Sequence, residues 1–163
     1  MNDNDLKELV TQGLLALKKA GEIGKGAAAD VANDATDPQL KSLLSDGSNR
    51  AEQWATKIQS VLDEAGAGSQ SSDNPIVEAH VEVSKRIRAQ AKTPEARDLG
   101  IIASGQLVMH YYIAGFGTLR TYAERLNMNQ AQTTLQGLLD EAKQADQAMT
   151  DLAGKLLRQP ANV

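Results

Sequence analysis

Cysteine is absent from the 163 residues, which removes disulfides, thiolate metal sites and thiol nucleophiles and fits a reducing compartment. Aromatic residues are scarce, with one Trp, one Phe and three Tyr, so each must occupy a specific place. There is no excess of positive charge: the formal net charge is −4 with mixed signs, whereas nucleic-acid binding normally needs a basic face. No uninterrupted apolar run approaches the roughly 20 residues needed to span a bilayer. The segment Met1-Asn2-Asp3-Asn4-Asp5 lacks the basic and apolar regions of a signal peptide. A soluble, cytoplasmic protein with no nucleic-acid or membrane partner is expected. What the chain does contain is Ala, Leu, Gln, Lys and Glu, side chains that lose little rotamer freedom in a helix.

Proline divides the chain. Asp37-Pro38, Asn74-Pro75 and Thr93-Pro94 each place a good N-cap before a proline at the first helical position, where its missing N–H costs nothing. A further start is expected near Asn127-Met128-Asn129, and Asp3 or Asn4 is expected to cap the first helix. The spacing predicts helices over 4–34, 38–65, 75–91, 94–126 and 129–158. The stretch Gly66-Ala67-Gly68-Ser69-Gln70-Ser71-Ser72-Asp73 is a connector rich in helix-stopping residues. Neither half has enough core to stand alone, so residues 1–163 are read as one domain.

Apolar residues recur at helical spacing in each long segment. The first has Leu6, Val10, Leu14, Leu17, Gly21, Gly24, Ala28 and Val31; its second half is mostly glycine and alanine, which admits a close partner. The second has Leu40, Leu44, Gly47, Ala51, Trp54, Ile58 and Val61. Ile102, Gln106, Met109, Ile113, Phe116 and Gly117 follow in the segment after Pro94, and Leu135, Leu138, Ala142, Asp146, Met149, Ala153 and Leu156 in the last. Four amphipathic helices with one inner face each make an all-α four-helix bundle, with the short 75–91 helix serving the crossover.

From Arg97 to Ala153 a more specific pattern appears: Arg97-Asp98, His110-Tyr111, Ile113-Ala114, Gly117-Thr118-Leu119, Ala123-Glu124-Arg125-Leu126 and Thr150-Asp151-Leu152-Ala153, in that order. The chain resembles the YciE/YciF-type ferritin-like family. The match weakens toward the N-terminus but extends over nearly the whole chain in helix lengths and stripes. The resemblance implies a ferritin-like bundle, commonly dimeric, associated with bacterial stress responses and of poorly defined biochemical activity.

Ferritin-like bundles often hold two metal ions through inward carboxylates and histidine. Gapless alignment with the family pattern places these positions at Gly21, at Arg50 and Trp54, at Met109 and Tyr112, and at Ala142 and Asp146. Of these only Asp146 is an anionic donor, so the dinuclear site is expected to be lost, with no cofactor. Glu22 lies about 100° around the helix from Gly21, and a one-residue register change would turn it inward. Glu52, His110, Glu141 and Asp146 are the residues left for a single iron or manganese ion; the other reading is surface carboxylates with a partly buried histidine. We expect an ion pair between Arg50 and Asp146 where metal would have sat, with snorkelling of Arg50 as the other reading. Trp54 is expected against Gly21 and Gly24, with Met109 and Tyr112 completing a plug.

Other features read as structural. Gly21-Glu22-Ile23-Gly24 and Gly115-Phe116-Gly117 follow no strand and lie within helical patterns, so they are packing glycines rather than phosphate loops. Glu78 and His80, and the Lys85, Arg86, Arg88 cluster, are expected on solvated faces. No residues point to a Ser/His/Asp triad. Three functions remain in view: a non-catalytic stress-associated bundle acting as a homodimer or partner-binding module, a redox or peroxide-handling metalloprotein, and a small-molecule binder using the space between the helices. Val10, Leu14 through Leu17, Tyr111 and Tyr122 are candidates for apolar contact area in a dimer.

Overall fold

Each proline begins a helix. In the computed structural model, which describes residues 2–158, α1 spans Asp3–Asp34, α2 Pro38–Glu64, α3 Pro75–Gln90, α4 Pro94–Arg125 and α5 Asn129–Leu156. These bounds lie within two residues of those expected from spacing and capping. Asp37 accepts from the N–H groups of Gln39 and Leu40, Asn74 from Val77, and Thr93 from Ala96, satisfying donors that the first turn leaves unpaired.

One cap differs from expectation. Asn2, not Asp3 or Asn4, caps α1 by accepting from the Asp5 N–H at 2.8 Å. α5 begins at Asn129, as expected, while Asn127 ends α4. With φ at 58°, it lets its own N–H reach the Glu124 carbonyl and the Met128 N–H reach the Ala123 carbonyl, the Schellman arrangement. Gly66, with φ at 78°, ends α2 in the same way, its N–H on Asp63 O and that of Ala67 on Leu62 O.

Cross-helix contacts give the directions. Lys18 with Gln59 and Lys25 with Glu52 make α1 and α2 antiparallel. Gly13 against Leu119 and Gly115 against Leu17 make α1 and α4 antiparallel, and Gln106 with Thr150 and Arg120 with Gln136 do the same for α4 and α5. It follows that α2 and α4 are parallel. A tight hairpin cannot join parallel helices, so the crossover carrying α3 is required. One long crossover in a four-helix bundle is the ferritin-like connectivity. At Gly13 and Gly115 an added Cβ would lie 2.7 and 2.8 Å from leucine methyls of the facing helix; each glycine is the hole that receives a leucine.

α4 is 32 residues long, and its most apolar 18-residue stretch has mean hydropathy 1.2, enough by length and composition to cross a bilayer. Little more than a quarter of that stretch is buried inside the fold, where α4 packs against α1, α3 and α5. The core falls into two clusters. One is built around Val10, Leu14, Trp54, Phe116 and Leu138; the other, around Leu40, Ile101, Ile102 and Met149, closes the opposite end. Met109 packs against both. Val10, Leu14, Leu15 and Leu17 are all at most 5% exposed, so these candidates for dimer contact area are spent inside the chain. Tyr111 and Tyr122 are partly buried against the same cluster.

Two buried polar residues tie the corners. Asp98, on α4, accepts from Thr36 N (2.8 Å), Thr36 Oγ1 (2.6 Å) and Asp37 N (2.8 Å), holding the turn between α1 and α2. Asn74 donates through Nδ2 to the Ala16 carbonyl (2.7 Å) and the Tyr111 hydroxyl (2.8 Å) while capping α3, which fastens the crossover to α1 and α4.

Candidate functional site

The two core clusters do not meet completely. Between them lies a cavity of about 410 Å³, walled by all four long helices and α3. It is open to solvent on one side, so water or a ligand can enter it. It reaches the surface between α1 and α2, where Gly24 and Gly47 line it with nothing within 4 Å of an added Cβ.

The positions that the resemblance assigned to metal divide around this cavity. Gly21, Arg50, Trp54, Met109 and Tyr112 line it, whereas Ala142 is fully buried in the larger core cluster. The expected plug does not form. Trp54 packs edge-on against Tyr112 and Phe116, with centroids at 5.2 and 5.4 Å, and so is drawn toward α4. Tyr112 is the residue that approaches Gly21, its Oη 3.7 Å from where a Cβ would stand. Burial, with repulsion from Tyr111 second, raises the Tyr112 phenol above its ordinary range, so it is neutral and retains its proton.

The ion pair expected between Arg50 and Asp146 is not formed. Asp146 instead faces α4, 3.5 Å from His110 Nε2 and accepting from Gln106 Nε2 at 3.3 Å. The reason is rotation along α5. Glu141 faces α2, accepting from Trp54 Nε1 and Lys57 Nζ, both at 2.6 Å. Five residues further the helix has turned about 140° from that direction. Burial alone would raise the Glu141 carboxyl. The hydrogen bonds from Lys57 and Trp54, with the positive charges of Lys57 and Arg50, hold it below its ordinary value.

The residues left for a single ion are likewise separated. Glu52 is exposed and pairs with Lys25 at 2.7 Å, which lowers its pKa; Glu141 is engaged by Trp54 and Lys57; His110, 65% exposed, sits with Asp146. Among the described residues no three His, Cys, Asp or Glu side chains converge as a metal site. Glu22 is exposed and pairs with Lys19 at 3.3 Å, so its register is outward. The donor set does not fit a dinuclear iron or manganese centre, which needs several anionic oxygens or imidazoles at one level.

Two residues expected on solvated faces belong to the cavity. His80 is half-buried and lines it. Arg88 is 6% exposed at its far end, with Nε on Asp34 Oδ2 and Nη1 on Ser84 Oγ, both at 2.7 Å. Glu78, Lys85 and Arg86 are exposed as expected. Ser104 was not anticipated at all. It is 5% exposed on the cavity wall, and its Oγ has no hydrogen-bond partner. In the sequence, only its place among the small residues of α4, one turn before Val108, hinted at an inward face.

Comparison with known proteins follows the same outline. The family described as a domain of unknown function (DUF892) matches residues 20–162. Protein YciF of Escherichia coli (strain K12) is 39% identical over 77 residues, 47% of this chain and 46% of that protein; the aligned stretch thus spans about half of that relative. Among solved structures, the E. coli stress protein YciF superposes with a TM-score of 0.89 at 24% identity, covering 95% of this chain and 98% of the other. YcfI from Rhodopseudomonas palustris superposes with a TM-score of 0.85 at 22% identity, covering 89% and 92%. With a family match over most of its length, this chain belongs to the DUF892 family, of YciE/YciF type, with a ferritin-like helical fold.

Proposed function

We propose that this protein is a non-catalytic, stress-associated member of its family, working as a cytoplasmic homodimer or partner-binding bundle whose dinuclear metal site has been lost. One observation carries the reading. Six of the seven positions that would ligate metal hold Gly, Arg, Trp, Met, Tyr and Ala, none of them a carboxylate or imidazole. The seventh, Asp146, is turned toward His110 and Gln106 on the α4 side. The stress association is taken from the E. coli relative described as a stress protein.

The test is metal analysis of protein purified without chelator, together with its mass in solution by light scattering. A dimer with well under one equivalent of iron or manganese is expected. Stoichiometric metal that disappears on Asp146→Ala or Glu141→Ala replacement would overturn the reading in favour of a rearranged redox centre.

A further inference from the structure

The cavity has the form of a binding site, and its chemistry defines what it would hold. At about 410 Å³ it lies within the range of small-molecule pockets, roughly 300–1,000 Å³, which are apolar with a few placed polar groups. Its walls are Trp54, Met109, Ile101 and Met149 with the bare backbone of Gly21 and Gly24. Water filling it would face few hydrogen-bonding groups, the condition under which apolar molecules displace water.

Several polar groups on the lining, Lys25, Ser48, Ser84 and Arg88, are bonded within the chain, but Ser104 Oγ is buried without a partner. An unpaired hydroxyl of this kind marks an absent partner in an otherwise satisfied interior; every other such side-chain atom among the described residues is bonded. Three cations, Lys25, Arg50 and Arg88, line the space, with one carboxylate, Asp46. Lys25 is held by Glu52, and Arg88 by Asp34. Arg50 makes neither ion pair nor hydrogen bond among the described residues; its charge is felt by Glu141, which Trp54 and Lys57 already engage, and Asp46, one turn before it, is exposed. A free guanidinium at the mouth of an apolar pocket presents a planar fork that matches a carboxylate.

We propose that the cavity binds a monocarboxylate with an extended apolar body, of the medium-chain fatty-acid class. The carboxylate pairs with Arg50 near the opening, and the apolar body lies between the two core clusters. A plain alkyl chain leaves Ser104 unpaired; a hydroxyl or oxo group on the body would meet it. This is independent of whether the chain dimerises, and it does not require metal.

Trp54 is the sole tryptophan and lines the cavity, so its fluorescence reads occupancy directly. The probe is ω-bromododecanoate, titrated below its micelle-forming concentration, with ω-bromododecanol as its uncharged counterpart. Saturable quenching of Trp54 by the acid is expected, with the alcohol binding more weakly. Arg50→Gln is expected to weaken the acid by about tenfold or more, the loss of one charge-assisted contact, and to leave the alcohol unchanged. Gly24→Leu puts a side chain into open space at the mouth and is expected to abolish binding of both while retaining the fold. Gly47→Leu, which meets equally open space, is the second variant should the first fail to fold. Absence of saturable quenching in the wild-type protein overturns the proposal, as does undiminished quenching in both folded leucine variants. Equal affinity for acid and alcohol, unaltered by Arg50→Gln, overturns the carboxylate assignment.

Discussion

Replacing Asp98 by alanine should be among the most damaging single changes to this fold. Its carboxylate accepts three hydrogen bonds of 2.6 to 2.8 Å, from Thr36 N, Thr36 Oγ1 and Asp37 N, while itself only 3% exposed. Hydrogen bonds to a charged group contribute about 1.5–3 kcal/mol each, so independent bonds would sum to about 4.5–9 kcal/mol. Thr36 is exposed, however, and water can reach donors on that side once the carboxylate is gone. We therefore expect a loss of about 3–4 kcal/mol, a large share of the roughly 5–15 kcal/mol typical of a domain. The effect extends beyond the corner, because Asp37, whose N–H Asp98 holds, caps α2 through its own side chain. Asp98→Asn should cost about 2 kcal/mol: its single carbonyl oxygen can serve one side, and its NH₂ must then face another N–H donor. Thr36→Val should cost about 1 kcal/mol, for one bond lost. Urea unfolding followed by circular dichroism measures all three, and an unchanged m-value would show that the comparison is one of stability alone. A loss below about 1 kcal/mol for Asp98→Ala would refute the reasoning, since water would then satisfy this corner as well as the carboxylate does.

Other outcomes follow from the same geometry. Glycine-to-alanine changes should act with opposite signs at two helical sites: Gly24→Ala, with nothing within 4 Å, should stabilise by about 0.5–1 kcal/mol. Gly115→Ala, 2.8 Å from a Leu17 methyl, should destabilise by about 1–3 kcal/mol, and thermal melts of the pair decide it. Ser104→Ala should leave the ligand-free protein as stable or about 1 kcal/mol more stable, because a buried hydroxyl without a partner is unfavourable; a clear loss in the same melts would mean that the hydroxyl is satisfied. The Glu141 carboxyl is held below its ordinary 4.5 in the folded protein, so its contribution is present above that value and is lost as pH falls through the lower folded pKa. Acid titration should show the loss of stability below about pH 4.5 accompanied by a change in Trp54 emission, since Glu141 accepts from the indole. Glu141→Gln should flatten that part of the profile, and an unaltered profile would mean that other carboxylates govern it.

The helices and their ends were legible because they are written in local chemistry. Pro38, Pro75 and Pro94, each after a capping side chain, begin helices for reasons that involve only the neighbouring residues. The start of α5 near Asn127-Met128-Asn129 was legible in the same way, but the role of Asn127 was not. An asparagine suits both a helix start and a left-handed helix end, and only the path of the chain out of α4 selects the second role. The core face of α1 was legible as a stripe, yet Val10 and Leu14 through Leu17 could be assigned to an interface until α4 was seen covering them.

The sequence by itself determined a helical bundle with a long crossover and the composition of its inner faces, because periodicity and residue chemistry suffice for each. It left undecided which charges meet and how well the faces fill the space between them. Those depend on rotations and separations of helices far apart in the chain. A turn of about 140° along α5 sends Asp146 to His110, so that Arg50 makes no ion pair or hydrogen bond among the described residues. Trp54, drawn to Tyr112 and Phe116 by edge-to-face contacts, leaves Gly24 uncovered. What the stripe of small residues foretold as close packing became, in the folded chain, an open cavity.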